Sequence, residues 1–261
     1  MADVVDLPRE HERDLGRAVV AAAGNPPEPF GLYAFPASAP ESELARGVER
    51  RVFDEFFGNS PELLQQEYGP YEDATLFLCV LDHRRALPAG MIRLVLPSPA
   101  GFKSLHDLEA GWDVRPDAAF VRTGIDPDPN EVLDVVTVAV DREYRGRASD
   151  GMISLALYQG TVQTARARSL RWLVTILDLV VLDLINGLTS EPFRRYRGVE
   201  PRSYLDSPAS LPVYCDLSEY LERLAIADPS MYGILREAVG LEAAVRPIEL
   251  EPALAALGPT S

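Results

Sequence analysis

Nine residues, Val132-Leu-Asp-Val-Val-Thr-Val-Ala-Val140, form an almost unbroken apolar run with one carboxylate, Asp134, inside it. A run of this kind reads as a strand covered on both faces rather than a half-solvated one. The residues after it limit the fold further. Asp141-Arg-Glu-Tyr-Arg-Gly-Arg147 is a polar, basic turn. Ser149 or Asp150 is then positioned to cap a helix running to about Arg168, with Met152, Leu155, Gln159 and Val162 along one face. Leu170 to Leu177 is a second buried strand, ended by Asp178, and a helix continues to about Leu188. The unit is therefore strand, basic turn, helix, strand.

The remaining segments frame this unit. Residues 8–23 read as an amphipathic helix with Pro8 near its start and Leu15, Ala18, Val19 and Ala22 on its apolar face. Phe30 to Phe35 is a short strand. Glu41 to Phe57 keeps helical spacing through Leu44, Val48, Val52 and Phe56, and Pro61 to Tyr68 is a helix capped by Ser60. Thr75–Leu81 and Gly90–Leu96 read as two strands of a hairpin around the polar loop Asp82–Leu87. Residues 97–130 are rich in Pro, Asp and Gly and show only a helical hint around Leu105–Leu108; so long a connection is usually functional or mobile. Leu211–Asp216 reads as a strand and Ser218–Ala225 as a helix, with a helix-prone acidic tail beyond.

Composition excludes several classes of function. Lys and Arg total 25 against 40 Asp and Glu, a formal charge of −15. Charge-driven nucleic-acid binding needs a basic surface that this chain lacks. The most apolar stretch, Leu173–Ile185, is interrupted by Asp178 and Asp183 and is too short to span a membrane. The N-terminus has no apolar signal core. Cys79 and Cys215 lie inside apolar runs and read as buried thiols of a reducing, cytoplasmic setting. His11, His83 and His106 are scattered without ligand spacing, so no metal site is expected. No nucleophile elbow, Walker loop or Gly-rich dinucleotide fingerprint is present.

The chemical signal is local. Arg142, Arg145 and Arg147 stand beside the start of a helix, whose unpaired N–H groups and partial positive charge suit a phosphate. The alternative is a solvated turn in front of a capped helix. Asp134 is the second signal. A carboxylate inside an apolar strand has a raised pKa unless paired, which suits a general base. The alternative is a strand-end Asp near solvent, or one paired with an arginine such as Arg93.

The segment Val136–Val140, Asp141–Arg147 and the helix after it resembles the signature of the GNAT superfamily of CoA-dependent N-acyltransferases. There a strand ending in V-x-x-x-Y-R-G-[KR]-G-x-G feeds a helix, and the loop amides hold the CoA pyrophosphate. The order of elements over roughly residues 30–217 is similar too. The resemblance implies an α/β (α+β) fold with helices on both faces of a mixed, mostly antiparallel sheet that is split by a V-shaped opening. Helices near both termini flank a mixed core with no clear linker, so the chain reads as an N-terminal helical extension (1–28), the acyltransferase-like domain (29–225) and a C-terminal helical tail (226–261). The resemblance places the donor along Val138, Ala139 and Val140 and around Arg145, Gly146, Arg147, Ala148, Ser149 and Gly151. Aligned on Arg145, the family's first loop Gly falls on Ala148 and its last Gly/Ala on Asp150. A carboxylate there repels a pyrophosphate, an objection that a phosphopantetheine donor on a carrier protein escapes.

Acyl-homoserine-lactone synthases and long-chain N-acyl amino acid synthases, which share this fold, are similar in carrying a long insertion before the signature strand. Their Glu-x-Ser-Arg corresponds to Asp134-Val-Val-Thr137, so the carboxylate is kept and Thr137 replaces the arginine, which disfavours lactone synthesis. The stretch Tyr204–Asp216 is similar to actinobacterial members and implies no activity. The resemblance gives Asp134 the role of base for an amine and offers Tyr196, near Gly198, as the acid that protonates the leaving thiolate, although its spacing to the glycine differs from the family's. The expected reaction is acyl transfer from acyl-CoA or an acyl carrier protein to a small-molecule amine. The donor would be a co-substrate, with no tightly bound cofactor, and a homodimer is open. Two alternatives stand beside it: a non-catalytic binding or regulatory module, and thioester hydrolysis or decarboxylation on the same scaffold.

Overall fold

The computed structural model describes residues 8–146 and 151–258. In chain order the elements are α1 (Arg9–Ala22), β1 (Phe30–Pro36), α2 (Ser42–Phe57), α3 (Pro61–Tyr68), β2 (Thr75–Asp82), β3 (Leu87–Val95), α4 (Lys103–Trp112) and α5 (Pro116–Thr123). They continue with β4 (Val132–Val140), α6 (Met152–Ala167), β5 (Trp172–Asp178), α7 (Leu179–Thr189), β6 (Arg194–Arg195), β7 (Arg202–Tyr204) and β8 (Ser207–Asp216). The chain ends in α8 (Leu217–Ala227), α9 (Pro229–Tyr232), a π-helical turn (Gly233–Glu237), β9 (Val245–Arg246) and α10 (Glu251–Ala256). None of the described helices is long and apolar enough to cross a membrane.

One mixed sheet runs β6-β8-β5-β4-β3-β2-β1-β9, with β7 paired to β8. Only β4/β5 and β1/β9 are parallel; the other pairings are antiparallel. The apolar run of β4 is covered as its composition demands. Leu133 packs with Ile153, Ala156 and Leu157 of α6 on one face. On the other, Ala139 joins Leu44 and Val48 of α2 while Val132 joins Leu108 and Trp112 of α4. Local signals set several boundaries. Ser60 accepts from Leu63 N at 3.2 Å, Asp82 accepts from Arg84 N and Arg85 N at the hairpin, and Asp178 accepts from Val180 N at 2.8 Å to start α7.

The structure differs from the sequence reading in several elements. Residues 97–130 contain two helices: α4, over the helical hint at Leu105–Leu108, and α5, which the sequence reading lacks. Both are short, and α4 packs Leu108 and Trp112 against Val132 of β4 and Trp172, Val174 and Leu177 of β5. The tail is not simply helical: β9 pairs in parallel with β1, and Phe30 N bonds to Ala244 O at 3.0 Å. Gln159 and Gln163 of α6, polar residues that by themselves suggest a solvated face, are instead engaged. Gln159 is 4% exposed, and both donate to backbone carbonyls of the π-helical turn.

Candidate active site

β4 and β5 pair only over Val132–Asp134 and Trp172–Val174. Beyond that point β4 follows β3 to Val140, while β5 follows β8 to Asp178. A bulge in β4 between Val135 and Thr137 turns the strand at the place where the two separate. The separation opens a cleft of about 730 Å³, a volume ordinary for a small-molecule site. Val136–Val140 form one wall and Ile176–Asp178 the other. Phe53, Phe56 and Phe57 of α2 make one lip and Val180, Val181 and Leu184 of α7 the other; Phe56, Val180 and Leu184 are solvent-exposed. The cleft continues inward into a narrow apolar cavity between α6 and the β5/β8 sheet. The two share Val136, Val138, Tyr158, Leu177 and Ile185.

The expected donor residues Val138, Ala139, Val140 and Arg145 all line this cleft. Arg145 Nε donates to Val140 O at 2.6 Å, its Nη1 reaches Glu55 at 3.0 Å, and its guanidinium stacks over Phe56 at 4.6 Å. Its Nη2 is buried and has no hydrogen-bond partner among the described residues. Gly146 and Gly151 both have positive φ, 61° and 77°, and they bracket residues 147–150. Gly151 is the N-cap of α6. Arg147, Ala148 and Ser149, expected in the donor loop, and Asp150, expected there or as the helix cap, lie outside the described residues.

Asp134 is fully buried. It is not paired with Arg93. Its two oxygens accept from Ser104 N at 2.8 Å and Ser104 Oγ at 2.5 Å, at the start of α4. Burial pushes its pKa up to about 7, against the opposing pull of the Ser104 hydrogen bonds. Ser104 lines the cleft, and Asp134 stands behind it. Ser104 escaped the sequence reading because it falls in the segment that reads as a loop.

Tyr196 lies in the core beside Tyr214, with ring centroids 5.1 Å apart, and is outside the cleft walls. Its hydroxyl is buried without a partner among the described residues. The tyrosine at the junction of cleft and cavity is Tyr158, on α6. Burial raises its pKa to about 12, and Ser154, one turn earlier on the same helix, hydrogen-bonds to it. The only available signal for Tyr158 was its place on the helix after the basic turn.

Between α2 and the sheet lies a buried ionic network that meets the cleft at Thr137. Arg93 donates to Glu49 through Nε (3.0 Å) and Nη2 (2.6 Å) and to Glu72 through Nη1 (2.7 Å). Thr137 Oγ1 donates to the same Glu49 at 2.5 Å. Arg93 is Thr137's cross-strand partner, and both engage Glu49. Tyr68, over which Arg93 stacks at 4.6 Å, and Tyr204 bring phenol rings to the cleft. Burial raises the pKa of both, so they stay protonated at neutral pH. Asp178 caps α7, accepts from Ser207 Oγ at 2.7 Å and faces the cleft. Cys79 and Cys215 are free, buried thiols.

No family model matches the sequence, and no curated protein matches it. Solved structures do. An N-acyl amino acid synthase from uncultured soil microbes, FeeM, superposes with a TM-score of 0.57 at 14% identity, over 76% of this chain and 97% of its own. TofI, solved in a ternary complex with an inhibitor and MTA, gives 0.51 at 17% identity, over 77% of this chain and 99% of its own. The CoA-dependent acyl-homoserine lactone synthase BjaI, solved with SAM and isopentyl-CoA, gives 0.49 at 15% identity over 87% and 98%. With its strands parted beyond Asp134 and its basic turn leading into α6, the chain has the fold of the GNAT superfamily.

Proposed function

We propose that this protein transfers an acyl group from a phosphopantetheine thioester to a small-molecule amine. The observation that carries the reading is the parting of β4 and β5, which opens a cleft that continues into an apolar cavity. A pantetheine arm has a strand edge to pair with along Val138–Val140, and an acyl tail has an apolar enclosure beyond it. Arg145 Nη2 and the amides around Gly146 and Gly151 suit the phosphate end of the donor. CoA and an acyl carrier protein both present that chemistry. The acceptor side is rich in hydroxyls and carries Asp178, which with the chain's negative charge favours a cationic amine over an acid. The buried free thiols are in keeping with a cytoplasmic setting.

The named groups supply the chemistry. The amine nitrogen bonds to the thioester carbonyl carbon, and the oxyanion is met by β4 backbone N–H groups near the bulge. Ser104 Oγ accepts the amine proton while passing its own to Asp134. The C–S bond breaks, and Tyr158 protonates the departing thiolate. Exchange with solvent then restores Asp134 and Tyr158, leaving amide and free thiol. The test is thiol release from acetyl-, octanoyl- and dodecanoyl-CoA and from the matching acyl-pantetheines, with and without a panel of amines. Release that requires an amine supports the proposal, and release without one supports hydrolysis.

A second reading, a binding module without turnover, is favoured by one contact. Arg145 reaches from Val140 O to Glu55 at the mouth of the cleft, against the strand end that a donor would approach. Donor binding with no thiol release under any amine would select it.

A further inference from the structure

We infer that the π-helical turn Gly233–Glu237 is the end stop of the apolar cavity, with Leu235 limiting the length of the acyl chain that the donor brings. The inference rests on the acyl-transfer reading and goes beyond it by naming the donor class, a chain with an apolar end and a defined length limit.

The cavity has two recognisable ends. At one it shares Val138, Tyr158 and Ile185 with the cleft. At the other it is bounded by Leu217, Tyr220 and Leu235. Leu217 also lines a separate outer cleft on the far side, where the residue next to Leu235, Arg236, is exposed to that space along with Arg166 and Tyr232. Leu217 therefore stands between the inner cavity and the outer cleft, and Leu235, 2% exposed, lines the inner side while the next residue lines the outer.

The stop is rigid for a stated reason. A π-turn takes its carbonyls out of the usual i to i+4 pattern, and buried carbonyls need donors. Helix α6 supplies them from one face. Gln159 Nε2 donates to Ile234 O at 2.8 Å, Gln163 Nε2 to Leu235 O at 3.3 Å and to Arg236 O at 3.2 Å, and Arg166 Nη1 to Arg236 O at 2.9 Å. The helix that begins at the basic turn thus also fixes the far wall of the cavity. Leu217 and Leu235 make the stop apolar; of the hydroxyls along the cavity, Thr161 donates to Leu157 O and Thr189 to Ile185 O on their own helices, and Thr175 Oγ1 on β5 has no partner among the described residues. An acyl chain ending in a methyl group fits such a wall, and one ending in a charged group does not.

The experiment is calorimetric titration of the full chain with saturated acyl-pantetheines and acyl-CoAs of six to sixteen carbons, repeated on Leu235→Ala, Leu235→Phe and Ile92→Val. Ile92 pairs with Val138 and so lies at the cleft end of the cavity. In the wild type, affinity should rise about fourfold per methylene up to a limiting length and then stop rising. The limit should move at least two carbons longer in Leu235→Ala, move shorter in Leu235→Phe, and stay in place in Ile92→Val. If circular dichroism shows Leu235→Ala unfolded, Leu235→Val takes its place with a smaller lengthening expected. A limit that neither Leu235 variant moves, or that Ile92→Val moves equally, overturns the stop and leaves acyl transfer standing. No binding of any thioester by the wild type removes the acyl-transfer reading itself.

Discussion

Ser104 Oγ donates to Asp134 Oδ1 at 2.5 Å, and of the two residues only Ser104 reaches the cleft. If the proposed acyl transfer passes its proton through this pair, activity should depend on both residues. Asp134→Asn removes the proton acceptor, and turnover should fall by about a hundredfold or more, as for loss of a general base. Ser104→Ala breaks the relay while leaving the carboxylate and should fall comparably. In the wild type, kcat/KM should rise with pH through about 7, the Asp134 pKa, because only the ionised form accepts a proton. A pH–rate profile with no limb near 7, or one unchanged in Asp134→Asn, would remove Asp134 from the chemistry.

The same group sets a stability term. Its pKa is near 3.8 unfolded and about 7 folded, so the folded state binds the proton more tightly. The stability contributed by the protonated form is fully present below about pH 4 and is lost as pH rises through about 7. A shift of that size corresponds to roughly 4 kcal/mol as an order of magnitude. Asp134→Asn should therefore gain stability relative to wild type between pH 4 and 7, read by urea denaturation at several pH values. A constant difference across that range would contradict the burial argument.

Arg145 is tied to Val140 O, to Glu55 and to the Phe56 ring. Arg145→Ala removes one of the three charges of the basic turn, and Arg145→Lys keeps that charge but loses the fork. If the turn holds the donor's phosphates, both variants should raise KM for acyl-CoA by about tenfold and leave that for an acyl-pantetheine lacking phosphate nearly unchanged. Equal effects on both donors would give Arg145 a structural role only.

Legibility in the sequence tracks the place of the determining contacts. β4 and β5 were readable because a strand covered on both faces announces itself in its own residues. The Ser60 and Asp178 caps were readable because each bonds within its own turn. Asp134 stood out as a lone carboxylate in an apolar run, but its partner Ser104 lies 30 residues away in a segment rich in helix breakers. The fate of Arg93 was open for the same reason, since Glu49 and Glu72 come from other elements. Helix α1 shows the limit most clearly. Its apolar stripe predicted a face through Leu15, Ala18, Val19 and Ala22, yet its buried residues are Glu12, Gly16, Val19 and Val20. Glu12 is buried against Arg51 and Arg9, charges that no local pattern reveals.

Gly16 gives that observation a measurable sign. In a helix, Gly→Ala ordinarily stabilises by up to about 1 kcal/mol. Here a Cβ at Gly16 would stand 2.3 Å from Ala86 O, in the backbone of the β2–β3 hairpin. That backbone cannot swing away as a side chain could. Gly16→Ala should therefore destabilise by about 1–3 kcal/mol, as overpacking does. Thermal denaturation checks it, and a raised Tm would mean that α1 does not dock where the Cβ argument puts it.

Arg93 decides between an ion pair and a ligand for a substrate carboxylate. It is 2% exposed, forms a bidentate pair with Glu49, also bonds Glu72, and is not part of the cleft lining. Burial alone would lower its pKa, but the two carboxylates overcome this and hold it charged. Removing it strands Glu49 almost without solvent, because that residue is 1% exposed. Arg93→Met should cost about 3–5 kcal/mol of stability, the usual loss on breaking one side of a buried pair. Adding Glu49→Gln to it should recover part of that loss, since the stranded charge is then gone. Urea denaturation of the single and double variants measures both. A substrate-binding Arg93 would behave oppositely, with KM for the acceptor rising sharply while the denaturation midpoint stays where it was.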